Sequence, residues 1–197
     1  NGDETLTSFK HAFAFREAGF NVHDTMIYAK NNPIPSDCGK RYRQCFEYMF
    51  CFSKGQPKTF NPLTEPTKSA GQKIKAFRIT EVGRGNLPDE DIGREIKTQR
   101  KVGNIFSYNV GTSSSRDKIA FEHPAIFPER LVEDQIRTWT NEGDLVYDCF
   151  MGSGTTAKIA HLLEREWLGS EISAEYVALA ERRVAIYQGE LKVSSIK

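Results

Sequence analysis

The stretch Leu145-Val146-Tyr147-Asp148-Cys149-Phe150-Met151-Gly152-Ser153-Gly154-Thr155-Thr156-Ala157 restricts the possible fold more than any other part of the chain. It reads as a short apolar strand, a turn with two glycines one residue apart, and a helix opening on a threonine pair. A strand–loop–helix unit of this kind brings backbone close to a nucleotide-like ligand in α/β proteins. Gly152 and Gly154 can take positive φ, and without a Cβ they let a ligand approach the chain. A helix running to Glu166 should follow. Residues 167–172 then predict a second strand, and Ser173 is a good N-cap for a last helix carrying Tyr176, Leu179, Val184 and Tyr187. Two strands are too few for an open sheet, so its other strands must come from earlier residues.

Those earlier strands are readable. Residues 5–18 place Leu6, Phe9 and Phe13 at helical spacing, with Gly19 as a stop. Residues 22–29 and 47–53 are rich in β-branched and aromatic side chains and predict two strands. From Lys58 to about Lys101 the chain is polar, punctuated by Gly and Pro, and has no sustained period, which inside a compact domain points to a functional insert. Residues 105–108 suggest a short strand, and Pro128 opens a helix with Leu131, Ile136 and Trp139 at core spacing. The expected division is 1–57, a 58–121 insert, and 122–197.

With 197 residues, 27% charged and 39% hydrophobic, the chain suits one globular domain carrying an insert. It has no apolar run near the roughly 18 residues that span a bilayer, and no basic-then-apolar leader. A cytoplasmic protein is expected, with Cys38, Cys45, Cys51 and Cys149 as free thiols and no metal-ligand spacing among them. The first residue is Asn1 rather than a methionine, so a missing preceding piece is expected.

Three ligands compete for the glycine loop. A phosphate loop needs a lysine before the hydroxyl residue, and Thr155-Thr156 has none. A dinucleotide site fits formally: Gly152-Ser153-Gly154-Thr155-Thr156-Ala157 matches GxGxxA, and Glu171 is placed for ribose hydroxyls. S-adenosylmethionine fits better, because Asp148 and Phe150 precede the glycines. A carboxylate there can hold an ammonium or face a sulfonium, whereas it would repel a pyrophosphate.

Asp148-Cys149-Phe150-Met151-Gly152-Ser153-Gly154-Thr155-Thr156, with Arg165–Ile172 and Tyr176…Ala180…Arg183, resembles the C-terminal half of the DNA amino-methyltransferases of the circularly permuted β class. Cys149 stands where the family usually has proline. His123-Pro124-Ala125-Ile126-Phe127-Pro128 resembles that family's motif X. Asp24…Lys30…Pro33 and Arg43…Glu47…Gly55 resemble its later catalytic-domain motifs. The 58–121 insert falls where the family keeps its target-recognition region. The family's Asp/Ser/Asn-Pro-Pro-Tyr loop has no counterpart, since no Pro-Pro pair occurs. The resemblance thus implies the C-terminal two-thirds of such an enzyme, with an incomplete Rossmann-like S-adenosylmethionine-dependent fold and no catalytic residue of its own.

The resemblance also implies roles. The cofactor would be held by His123, Phe127, Pro128, Asp148, Phe150, Gly152, Ser153, Gly154, Thr155, Thr156 and Glu171. Double-stranded DNA would meet the basic residues Lys73, Lys75, Arg78, Arg84, Arg100 and Lys101 of the insert. A methyl group would pass to the exocyclic amine of a flipped cytosine or adenine, as in a restriction–modification enzyme of a bacterial or phage-infected cell. Phe50 or Phe52 would lie near the base pocket or, equally, in a packed strand. The alternatives are a non-catalytic DNA- or cofactor-binding module, one half of a split methyltransferase completed by a second chain, and an NAD-dependent oxidoreductase.

Overall fold

The computed structural model describes residues 5–33, 39–40, 42–74, 93–111, 115, 117–122 and 126–189. They fall into two units, one of residues 1–61 and 104–197 and one of residues 62–103.

In the first unit, β1 (Asn21–Lys30) is the middle strand of three. It pairs antiparallel with β2 (Phe46–Ser53), with Met26 opposite Met49 and a register shift between Val22 and Asp24. Its other edge pairs in parallel with residues 105–108, which follow the insert. Strand alternation puts Phe46, Tyr48, Phe50 and Phe52 on one face of β2, where successive rings lie 5.3, 6.1 and 6.0 Å apart. Helix α1 (Thr7–Glu17) covers that ridge: Phe9 meets Tyr48 at 4.8 Å, and Phe15 stacks on Phe52 at 4.5 Å. Phe50 and Phe52 are therefore strand-packing residues here.

The opposite face buries Met26 and Tyr28. Tyr28 approaches Tyr108, whose hydroxyl donates to the buried Asp134 at 2.8 Å. Burial, reinforced by that carboxylate, pushes the Tyr108 phenol well above its ordinary value. Asp134 belongs to α2 (Glu129–Trp139), which starts after Pro128 as the sequence predicts. The open carbonyls at the end of α2 are taken by Asn61, whose amide nitrogen reaches the carbonyls of Arg137 and Thr140, and by the Arg165 guanidinium on Thr140.

The second layer is a β–α–β–α run. The parallel pair formed by residues 145–148 and 166–169 is bridged by residues 155–162 and followed by residues 174–187, both α-helical. In chain order the strands are β3 (Thr64–Pro66), β4 (Gln99–Lys101), β5 (Ile105–Tyr108), β6 (Leu145–Asp148) and β7 (Glu166–Gly169), and the last two helices are α3 (Thr155–Leu162) and α4 (Ala174–Tyr187). Val132 and Ile136 of α2 bury against Ile159 and Ala160 of α3, backed by Val146, Leu163 and Trp167. Met151, Ala157, Ala180 and Val184 form a second cluster against α4. Each buried Val, Ile or Met side chain among them contributes roughly 1.5–3 kcal/mol of burial. The helix after the loop ends at Leu162 rather than at the expected Glu166. Glu164 turns to φ 60° with its carbonyl bonded to Gly143, and this frees residues from Glu166 onward to pair with β6.

The second unit contains β3 and β4, paired antiparallel, and an isolated bridge between Lys73 and Glu95. It and the sequence-based insert of 58–121 overlap without coinciding, because β5 pairs with β1. Among the described residues no helix is long and apolar enough to cross a membrane.

Candidate cofactor site

The glycine loop joins the end of β6 to α3, and Glu171 lies just past the end of the neighbouring strand β7. This is the crevice beyond the carboxyl ends of parallel strands, where open α/β sheets bind ligands. Two carboxylates shape it. Asp148 accepts from the Phe150 N–H at 2.9 Å and from the Thr156 hydroxyl at 2.6 Å, tying the start of the loop to the first turn of α3. Glu171 accepts from the Gly152 N–H at 2.9 Å and from the Ser173 N–H at 3.0 Å. Both bonds come from backbone N–H groups, which fix the orientation of the Glu171 carboxylate.

The two glycines have different work. Gly152 takes φ 52° at the turn that presents its N–H to Glu171. Gly154 is the residue before α3, at φ 77°, and a Cβ there would lie 2.9 Å from Cβ of Ala180. Its bare α-carbon therefore serves contact with α4 rather than approach of a ligand. Gly169 is similarly constrained, since a Cβ would overlap Met151.

The outer side of the loop is open and apolar. Phe150, two residues after Asp148, is 83% exposed, and Ile172, directly after Glu171, is 102% exposed; they lie in the two strand-to-loop turns. Ile172 was not among the sequence-based candidates, and a hydrophobic residue directly after the acidic one is the signal that could have found it. Thr156 is half-buried, whereas Ser153 and Thr155 are buried and face inward.

Beneath the loop lies a group of which the sequence motifs mark only Arg183. Lys158 on α3 and Arg183 on α4 are almost wholly buried, and each pairs with both Asp117 and Glu129. The four N–O distances are 2.8, 2.8, 2.8 and 2.7 Å, forming a closed ring of two cations and two anions. Arg183 also donates to the carbonyl of Ser153 at 3.1 Å and to the hydroxyl of Thr155 at 2.9 Å. Tyr187 donates to Asp117, and Ser115 donates to Glu129 at 2.6 Å. Burial pushes the Asp117 carboxyl up, but hydrogen bonds from Lys158, Tyr187 and Arg183 outweigh it and hold the group below its ordinary value. Burial pulls the Lys158 ammonium down, and bonds to Asp117 and Glu129 more than reverse this.

A cleft of about 630 Å³ borders this ring, lined in part by Tyr108, Glu129, Lys158 and Tyr187. Its lining includes none of the residues 152–156, and the charges that face it are already paired. Pro128 is buried and Phe127 is 40% exposed, both directly ahead of Glu129. His123 lies outside the described residues, as do Lys75, Arg78 and Arg84. In the second unit Arg100 and Lys101 sit exposed on β4, with Arg100 paired to Glu65 at 2.7 Å, and Lys73 is exposed at its bridge. Among the described residues no group of three or more His, Cys, Asp or Glu side chains is placed to hold a metal ion.

Comparison with known proteins places this geometry. Residues 1–182 match the N6/N4 methyltransferase family described as DNA methylase. The orphan methyltransferase M.BamHII of Bacillus amyloliquefaciens is 47% identical over 190 residues, which are 94% of this chain and 71% of that protein. Other type II methyltransferases match at 26–27% identity, and the chain spans about half of their length (47–54%). Among solved structures, M1.HpyAVI bound to S-adenosylmethionine superposes with a TM-score of 0.58 at 27% identity, over 92% of this chain and 71% of that one. The cytosine-N4-specific PvuII DNA methyltransferase shares the fold, with a TM-score of 0.61 at 23% identity, over 91% of this chain and 57% of that one.

Proposed function

The chain belongs to the DNA methylase family, and we propose that it seats S-adenosylmethionine for methyl transfer to the exocyclic amine of cytosine or adenine in double-stranded DNA, in the cytoplasm of a bacterial cell. The observation that carries this reading is the open crest of the loop: exposed Phe150 and Ile172 beside two carboxylates whose orientation is fixed by backbone N–H groups. The match to a relative solved with S-adenosylmethionine supports it.

When bound, the cofactor supplies a methyl group on a sulfonium: the amine nitrogen takes the methyl, the C–S electron pair leaves on sulfur, and the amine loses a proton. The chain's own contribution is orientation. Phe150 and Ile172 would close on the two faces of the adenine, and Glu171 would accept from the ribose hydroxyls. The side chains from Asp148 to Thr156 would surround the amino-acid end, with the positive end of α3 toward its carboxylate and Asp148 toward its ammonium. Phe127, Pro128 and His123 would form the facing wall. A dinucleotide is disfavoured by the same carboxylate, which would face a pyrophosphate.

We assign this chain to the permuted β class because the cofactor segment follows the insert in chain order. The residues that would accept the amine's hydrogens and stack on the base are assigned outside these 197 residues, since no Pro-Pro pair occurs among them. Catalysis of this kind is positioning and electrostatic stabilisation, without a covalent enzyme–base intermediate. Lys73, Arg100 and Lys101, with Lys75, Arg78 and Arg84, are the proposed DNA contacts. A split enzyme completed by a second chain is the other reading. It is favoured by β6, which pairs only with β7 among the described residues and leaves Leu145 62% and Tyr147 58% exposed.

Calorimetric titration tests the seat. S-adenosylmethionine and its demethylated product should bind and NADH should not; binding of NADH alone would overturn the assignment. With labelled cofactor and DNA, this chain should transfer no methyl group by itself. Transfer by the chain alone would refute the claim that the base-positioning residues lie elsewhere.

A further inference from the structure

The ring of Asp117, Glu129, Lys158 and Arg183 has more to do than hold helices together. Two buried ion pairs are a poor way to stabilise a fold, because desolvating four charges offsets most of their attraction, and apolar side chains of similar size do as well or better. What such a ring supplies is a fixed geometry, and the segments that it fixes are telling. The Arg183 fork donates from one nitrogen to the carbonyl and hydroxyl of Ser153 and to Thr155, inside the glycine loop. From its other terminal nitrogen it donates to Glu129 at 2.7 Å and to Ser115 at 3.2 Å. Glu129 directly follows Phe127 and Pro128. One planar group therefore joins the loop to the residue that follows Phe127 and Pro128. Lys158 doubles the link from the first turn of α3, with its ammonium 4.6 Å from the centre of the Tyr187 ring.

We propose that Arg183, held by Glu129, Asp117 and Lys158, is a positioning residue that sets the spacing between the two walls of the cofactor seat, the glycine loop and the Phe127–Pro128 arm. The proposal rests on the reading that this loop seats S-adenosylmethionine. Arg183 touches no ligand itself: it is 0% exposed and acts through Ser153 and Glu129. Lysine cannot replace it, because a single ammonium on a flexible stem does not hold two partners in one plane.

The test separates position from stability. Arg183→Lys keeps the charge and loses the fork, and Glu129→Gln keeps the shape and loses one anion. Met26→Ala removes a buried side chain from β1, in a different sheet, as a destabilised control. Each is titrated with S-adenosylhomocysteine at a temperature where circular dichroism finds it folded. The dissociation constant should rise at least tenfold for Arg183→Lys and Glu129→Gln and stay within twofold for Met26→Ala. If Arg183→Lys does not fold, Glu129→Gln decides alone. Binding by the ring variants within twofold of the unaltered chain overturns the inference while leaving the cofactor seat intact, as does equal loss of affinity in Met26→Ala. Failure of the unaltered chain to bind overturns the seat and the inference with it.

Discussion

The glycine loop has two sides built on opposite terms. Its crest exposes Phe150 and Ile172, large apolar side chains that the protein leaves uncovered. Its underside buries two cations and two anions that are completed entirely from within the chain. In the proposed reading a ligand completes the crest, whereas the protein itself completes the underside. A change on the crest should therefore alter affinity with little cost in stability, whereas a change beneath should alter stability first. If the two sides responded alike, the division would be wrong.

The largest effect belongs underneath. Arg183→Met would leave Asp117 and Glu129 buried with one cation between them, and breaking a buried pair from one side costs about 3–5 kcal/mol. Urea denaturation should show a loss of that size; a loss under about 1 kcal/mol would mean that water reaches the ring. Gly154→Ala comes next. Alanine at φ 77° costs about 1–2 kcal/mol, and crowding Ala180 at 2.9 Å adds about 1–3 kcal/mol. Combining it with Ala180→Gly should recover only part of the crowding, since the backbone Cα of residue 180 would still lie 3.0 Å from the added methyl, and leave the cost of the positive φ. Simple additivity of the two changes would place Gly154 elsewhere than against α4.

The two sides also differ in how readily the sequence reveals them. Asp148, Phe150, the glycines and Glu171 lie within one strand–loop–helix–strand stretch, so their spacing along the sequence is enough to propose them as a set. The same holds for α2 behind Pro128 and for α4 behind Ser173, where a local cap or first-turn residue announces the helix. The ring draws on Asp117, Glu129, Lys158 and Arg183, each an ordinary surface residue by type, and only the packing of α2, α3, α4 and the segment at Asp117 brings them together. Gly154 takes the positive φ that the sequence suggests, but its missing Cβ makes room for Ala180 rather than for a ligand. The Ala180 contact depends on the approach of a helix that starts some twenty residues later. The end of α3 was misjudged because Glu164 adopts a left-handed conformation that favours glycine, and no sequence signal marks it.

On the crest the balance should invert. Glu171→Ala removes an acceptor from the N–H groups of Gly152, which is buried, and Ser173, which is half-buried, so stability should fall by about 1–2 kcal/mol. Loss of charge-assisted bonds to ribose, at about 1.5–3 kcal/mol, should weaken cofactor binding roughly 10- to 100-fold. A stability loss larger than the affinity loss would make Glu171 a loop brace before it is a ligand. Phe150→Ala, at a side chain 83% exposed, should stay within about 0.5 kcal/mol in stability. It should still lower S-adenosylhomocysteine affinity about tenfold, as calorimetry would register.

The smallest effect is a flat line with one end. Asp117 is held below its ordinary value of 3.8, so its charged form is favoured by folding. A depressed carboxylate stabilises fully above its unfolded pKa and loses that contribution as pH falls through the folded value. Lys158 is held above 10.5, so its contribution is complete below that pH and is lost only as pH rises through its folded value. Asp117 and Lys158 should thus stay charged across the neutral range. In denaturant titrations, the stability difference between the unaltered chain and Asp117→Asn should be constant from about pH 5 to pH 9 and shrink below about pH 4. Subtracting one chain from the other cancels the remaining carboxylates and histidines, which both share. A difference that changed near pH 6 or 7 would mean that a ring member titrates there, and the underside would then be a pH-sensitive part of the cofactor seat rather than its fixed support.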